Sequence, residues 1–136
     1  MKNSVVITVP SHPQYLSVIR AVTAQMCVLS GMSDSSVEEV KVAVDEACSN
    51  VMKYAYRGNT DRHIVIQYRI IRDSFEVVIE DSGLKARPEA IEGRDLDDIR
   101  PGGLGVHLIK RAFDTMAFDK RKKRGNRLKL IRNRRG

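Results

Sequence analysis

Apolar positions along the chain change their spacing several times, and each change marks an element. "SVVITV" near the start is short and β-branched, which predicts an opening strand. From Gln14 to about Leu29 the residues Leu16, Ile19, Val22, Ala24, Met26 and Leu29 recur mostly at helical spacing, and Gly31 can close that helix. "SDSSVEE" supplies a second helix start, with Ser35 and Glu38 or Ser36 and Glu39 as a capping box. That helix is expected to run to about Tyr56 and stop at "RGNT", where Gly58 and Asn59 suit a left-handed turn. Val37, Val40, Val44, Ala47, Val51 and Tyr54 form its predicted core stripe.

Two strands follow, "HIVIQYRII" and "FEVVIED", around the turn "RDS". A polar, irregular stretch covers Ser82 to about Pro101, and "GGLGVHLIKRAFD" then turns a glycine loop into a third helix. "MAFDKRK", a turn at "RGN" and "RLKLIR" predict a closing hairpin. The order β-α-α-β-β-loop-α-β-β indicates an α+β fold, with helices layered on one face of a mixed, mainly antiparallel sheet.

The polar residues of the second helix ask for a reason. Glu46, Asn50 and Lys53 stand at i, i+4 and i+7, about 400° and 700° round an α-helix, so they stack along one line. A polar ladder worth a few tenths of a kcal/mol would account for such a line. Asn, however, is a poor choice for a helix interior, because its short amide competes for backbone partners. "VVIEDSG" ends a β-branched strand on Glu80 and Asp81, with Gly83 close behind. That aspartate reads equally as a turn former or as an acceptor for an exocyclic amine. Gly102, Gly103 and Gly105 open the third helix, where backbone N–H groups and the helix dipole can meet an anion. Neither the P-loop lysine pattern nor G-x-G-x-x-G after a strand is present.

The 136 residues, 42% hydrophobic, suit one domain over residues 1–136. No apolar run is long enough to span a membrane, and the opening lacks a signal peptide, so a cytoplasmic protein is expected. Cys27 and Cys48 lie in apolar helical patterns and read as buried free thiols. The net charge of +7 is uneven. Residues 119–136 hold ten of the 24 Lys/Arg and one of the 17 acids, which leaves the first 118 residues at −2. Composition therefore does not make the body of the chain a nucleic-acid surface, and the basic hairpin and tail at 120–136 read as exposed strand face and frayed end, able to steer an acidic protein partner.

E-x-x-x-N-x-x-K on a helix, D-x-G after the second following strand and G-G-L-G opening a later helix together resemble the GHKL ATPases. "VDEACSNVMKYAY", "DSG" and "GGLGVHLIKRAFD" are most similar to the small bacterial anti-sigma-factor serine/threonine kinases, over nearly the whole chain. The resemblance implies a Bergerat ATP-binding fold, a two-layer α/β sandwich. It implies ATP and Mg²⁺, with Asn50 as the metal ligand and Glu46 as the catalytic base or orienting carboxylate. Lys53 would be a charge partner near the phosphates, Asp81 would accept from the adenine amine, and Gly83 would give the base room. Gly103, Leu104, Gly105 and Val106 would offer backbone N–H groups to phosphate oxygens. Residues 84–101, with Arg87, Arg94 and Arg100, would form a lid over the nucleotide. The implied partners are an anti-anti-sigma factor as phosphorylated substrate, a sigma factor that the kinase holds, and a second copy in a homodimer, with the first helix and opening strand near the interface. The alternative is a sequestering regulator of the same fold with little or no kinase activity. The chain departs from many relatives in lacking a second glycine in D-S-G-L-K, and in carrying Arg127 near the place of a threonine beside the adenine-binding aspartate.

Overall fold

A computed structural model describes residues 4–86 and 103–134. Strand β1 (Ser4–Pro10) leads through a short 3₁₀ turn into α1 (Leu16–Leu29). Then come α2 (Asp34–Asn50), β2 (His63–Ile71), β3 (Ser74–Asp81), α3 (Gly103–Ala112), β4 (Thr115–Phe118) and β5 (Asn126–Asn133). The sheet order is β1-β2-β3-β5-β4, and all four pairings are antiparallel. This is the expected α+β sheet with a helical layer, with no parallel pair among the described strands.

Alternation along the strands decides which face the helices cover. Ile64, Ile66 and Tyr68 of β2, Val77 and Ile79 of β3, and Leu128 and Leu130 of β5 are buried in one core with Ile19, Val40, Val44 and Ile109. Burial of this apolar set is the main favourable term. Thr23 and Tyr68 share a hydrogen bond of 2.7 Å that ties α1 to β2 inside the core. The opposite face is polar, with Arg69 3.5 Å from Glu76 and Arg127 2.8 Å from Glu80.

Several local readings need correcting. Helix α2 starts earlier than the capping boxes suggest, because Ser33 is its cap and accepts from the Ser36 N–H. Its far end is not α-helical. Val51–Ala55 form a π-helical turn, in which one extra residue is accommodated. The buried face therefore slips by one position: Met52, Ala55 and Tyr56 are buried, Val51 is partly exposed, and Tyr54 is exposed. The positive backbone angles that end this segment fall at Arg57 and Gly58, not at Asn59.

The closing hairpin also differs. Strand β4 ends at Phe118, since the Asp119 carboxylate accepts from the Arg121 N–H and turns the chain. "KRKKRG" is therefore the connection and not a strand face. Arg132 is not exposed either. It lies on the core side of β5, only 5% exposed, and donates to Ala112 O (2.8 Å), Ser36 Oγ (2.9 Å) and Glu39 Oε1 (3.4 Å). Among the described residues no helix is long and apolar enough to cross a membrane.

Candidate active site

The second half of α2 and the π turn after it meet the start of α3 at Glu46 and the turn after Asp81 at Ala55. Glu46 and Asn50 are both partly buried near the end of α2. Helix α3 packs on α2 closely enough that Gly105 leaves no room for a side chain. A Cβ built there would lie 2.6 Å from Glu46 Cγ and 2.7 Å from its Cδ. A side chain at 105 would thus displace the Glu46 carboxylate, and Val106 beside it is buried at 1% exposure. Gly103 and Leu104 begin the same helix, so the glycine-rich turn does open a helix against Glu46.

The D-S-G turn meets the other end of this helical segment. Leu84 N–H donates to Ala55 O at 2.8 Å, and a Cβ on Gly83 would come within 2.9 Å of Ala55 Cβ and closer still to its carbonyl. Glu46 and Ala55 are nine residues apart, roughly 13 Å at α-helical rise. One helical segment therefore has the glycine helix at one end and the aspartate turn at the other. Lys53 lies in the π turn and is exposed. Because that turn follows an i→i+5 pattern, Lys53 is not carried round to the line that α-helical spacing gave it. Arg100, with Arg87 and Arg94, falls outside the described residues, as does the segment from 87 to 101 expected to form a lid.

Asp81, at the end of β3, is 5% exposed, and burial pushes its carboxyl above the ordinary value of 3.8. Hydrogen bonds oppose that shift. Gly83 N–H donates to Oδ1 at 2.8 Å, and the Asn126 amide donates to Oδ1 and Oδ2 at 3.1 and 3.2 Å. The register explains the partner: Asp81 faces Asn126, whereas Arg127 faces Glu80 and pairs with it on the polar side of the sheet. Asn126, and not Arg127, therefore stands beside Asp81. The signal was available in principle, because strand alternation sends neighbours to opposite faces.

Tyr56 is a second residue that motif spacing did not single out. Its hydroxyl donates to His63 O at 2.5 Å and accepts from the Ser82 N–H at 2.9 Å, so it braces the aspartate turn. Arg62 lies over the Tyr56 ring, 5.3 Å from its centroid, and reaches Ser82 Oγ at 3.0 Å. The π turn buries Tyr56 in place of Tyr54, which is why the helical period missed it.

The family model for a histidine kinase-like ATPase domain matches residues 9–132. The chain is 33% identical over 122 residues to the serine-protein kinase RsbW of Listeria innocua, covering 84% of this chain and 78% of that protein. It is 31% identical over 121 residues to the Staphylococcus aureus protein of the same name, covering 82% and 76%. With the Bacillus subtilis protein of that name, identity is 26% over 125 residues, covering 84% and 78%.

Proposed function

The chain belongs to the histidine kinase-like ATPase domain family, and from that premise we propose that it is an ATP-dependent serine-protein kinase. The observation that carries this reading is the placement of Glu46 against Gly105 at one end of a helical wall that meets the Asp81–Gly83 turn at the other. The wall suits a ligand with an amine-bearing base and an anionic tail. Asp81 offers an acceptor at one end, and the start of α3 offers backbone donors at the other.

The residues fit ATP and Mg²⁺. The glycine at 105 keeps the backbone free of a side chain beside Glu46, and Asn50 stands one turn beyond that carboxylate. Asn50 would hold Mg²⁺ through its amide oxygen, and Gly103, Leu104, Gly105 and Val106 would donate N–H groups to phosphate oxygens. Mg²⁺ and the triphosphate supply the transferable phosphoryl group and the neutralisation of its charge. Glu46 would accept the proton of the partner's serine hydroxyl, so that the serine oxygen can bond to the γ-phosphorus while the bond to the β-phosphate breaks and ADP leaves. Lys53, exposed on the π turn, would add positive charge near that end of the wall, while Arg100 and most of the expected lid fall outside the described residues.

We further propose that the serine lies on an anti-anti-sigma factor, and that the chain sequesters a sigma factor when this partner is phosphorylated. The support is the motif resemblance together with the likeness to proteins named serine-protein kinase. A homodimer is the proposed assembly. Val5 and Val6 on the edge strand β1, and Val18, Val28 and Leu29 on α1, are exposed apolar residues that a second copy would cover. Calorimetric titration with ATP tests the site. Binding that depends on Mg²⁺ and is largely removed by Asn50→Ala is expected, and a wild-type protein that binds no ATP overturns the kinase reading.

A further inference from the structure

Asn126 is the first residue of β5 and is 7% exposed. Its amide uses both N–H donors and accepts one bond at its oxygen. One N–H straddles both oxygens of Asp81, the other reaches Leu84 O at 2.8 Å, and its Oδ1 accepts from the Ala86 N–H at 2.7 Å. These bonds fix the orientation of the amide, because carboxylate and carbonyl partners need the nitrogen and the Ala86 N–H needs the oxygen. A single side chain thus clamps Asp81 and the 84–86 segment to the last strand. Gly125, at φ +69°, brings that strand against the Asp81–Ser82 backbone, where a Cβ would come 2.6 Å from Ser82 Cα.

We propose that Asn126 is a positioning residue that sets base selectivity, fixing Asp81 as an acceptor for a purine carrying an amine at C6 and against one carrying a carbonyl there. The inference rests on the proposed function, in which Asp81 meets the base. Among the described residues Asp81 Oδ1 takes bonds from both Gly83 and Asn126, while Oδ2 takes one, from Asn126. Oδ2 therefore keeps a free acceptor direction. A protonated carboxyl would lose that preference, since its O–H could donate to a purine carbonyl.

Burial favours the protonated form of Asp81, and the Gly83 and Asn126 donors, with Lys122 nearby, favour the ionised one. The other charged or titratable groups around the turn are engaged elsewhere. Glu80 pairs with Arg127 and Lys122 on the far face, Arg62 and Tyr56 hold Ser82, and Lys85 donates to Lys122 O. Asn126 is thus the side-chain donor on which the acceptor state of Asp81 depends.

The test is equilibrium binding of ATP and of inosine triphosphate to the full chain, from pH 5 to 8, for wild type, Asn126→Ala and Asn126→Thr. Wild type is expected to prefer ATP, because a site built to pair a substrate's polar group rejects the analogue that lacks it. Asn126→Ala should narrow the ATP/inosine ratio by about tenfold or more, and ATP binding should fail at a higher pH than in wild type as acid is added. Asn126→Thr keeps a donor for Asp81 and should hold the ratio near the wild-type value. If both nucleotides weaken equally in Asn126→Ala, Asn126 is merely structural and the proposal falls. Should Asn126→Ala not fold, the threonine variant decides, and loss of the ratio there overturns the proposal. Wild-type protein that binds neither nucleotide overturns the kinase reading and this inference together, whereas ATP binding with an unchanged ratio overturns this inference alone.

Discussion

Gly105→Ala separates what α3 does for folding from what it does for chemistry. The new Cβ would lie 2.6 Å from Glu46 Cγ and 2.7 Å from Cδ, so the carboxylate must move. Two stability terms oppose each other. Alanine in place of glycine in a helix gains about 0.8–1 kcal/mol, and overpacking costs about 1–3 kcal/mol when neighbours cannot yield. Glu46 can yield, because it is partly exposed and its side chain is flexible, which puts the overpacking cost at the low end. The net change in stability should stay within about 1 kcal/mol. A displaced general base loses about 10²–10⁴ in rate, which at 1.36 kcal/mol per decade is roughly 3–5 kcal/mol of barrier. Function should therefore fall far more than stability. The assays are urea denaturation for the fold and single-turnover phosphoryl transfer for the chemistry. In a Glu46→Ala background the same substitution should cost little further rate, because the group it displaces is already gone. A Gly105→Ala protein with a wild-type rate, or with a loss that persists undiminished in the Glu46→Ala background, would refute the reasoning.

Three further outcomes follow from the packing. Arg132→Leu should destabilise by about 2–4 kcal/mol, through lost bonds from a buried charged donor to Ala112 O and Ser36 Oγ, as read from the urea midpoint. The partly exposed Glu39 can turn to water, which holds the loss below that of a fully buried ion pair. The folded-state pKa of Asp81 is raised, so its contribution to stability is fully present below the ordinary 3.8 and is lost as pH rises through the folded value. Denaturation of wild type and Asp81→Asn at pH 3.5 and 7 should show wild type losing ground relative to the variant at the higher pH; a pH-independent difference contradicts the buried-carboxylate account. Cys27 and Cys48 are fully buried, and burial pushes the Cys27 thiol up to about 12, so neither should react with a thiol reagent near neutral pH until urea unfolds the chain.

Much of the architecture was legible because it rests on period and punctuation. The β-branched runs became β1, β2 and β3, and the apolar spacing before Gly31 became α1, whose end has that glycine at φ +88°. The joint presence of Glu46, Asn50, Asp81 and the glycine-rich helix start could be read from motif spacing, and the structure brings Gly105 against Glu46 and the turn after Asp81 against Ala55. The π turn at Val51–Ala55 could not be read, because an i→i+5 turn inserts a residue that α-helical counting does not anticipate. That single insertion moved burial from Tyr54 to Tyr56 and took Lys53 off the predicted line. Asn126 was missed for a different reason. Its role depends on strand register between β3 and β5, a pairing 45 residues apart in sequence. Arg132 hid in a basic run, where charge composition suggests exposure and only the alternation of β5 shows burial.

The central claim is tested most directly by incubating the protein with γ-labelled ATP, Mg²⁺ and its candidate anti-anti-sigma partner, then locating the label by mass spectrometry. Label on one serine of the partner, abolished by Glu46→Ala and by Asn50→Ala, is the predicted result. Tight binding of ATP and of the partner with no label transferred would contradict it and leave a sequestering protein built on an ATPase fold.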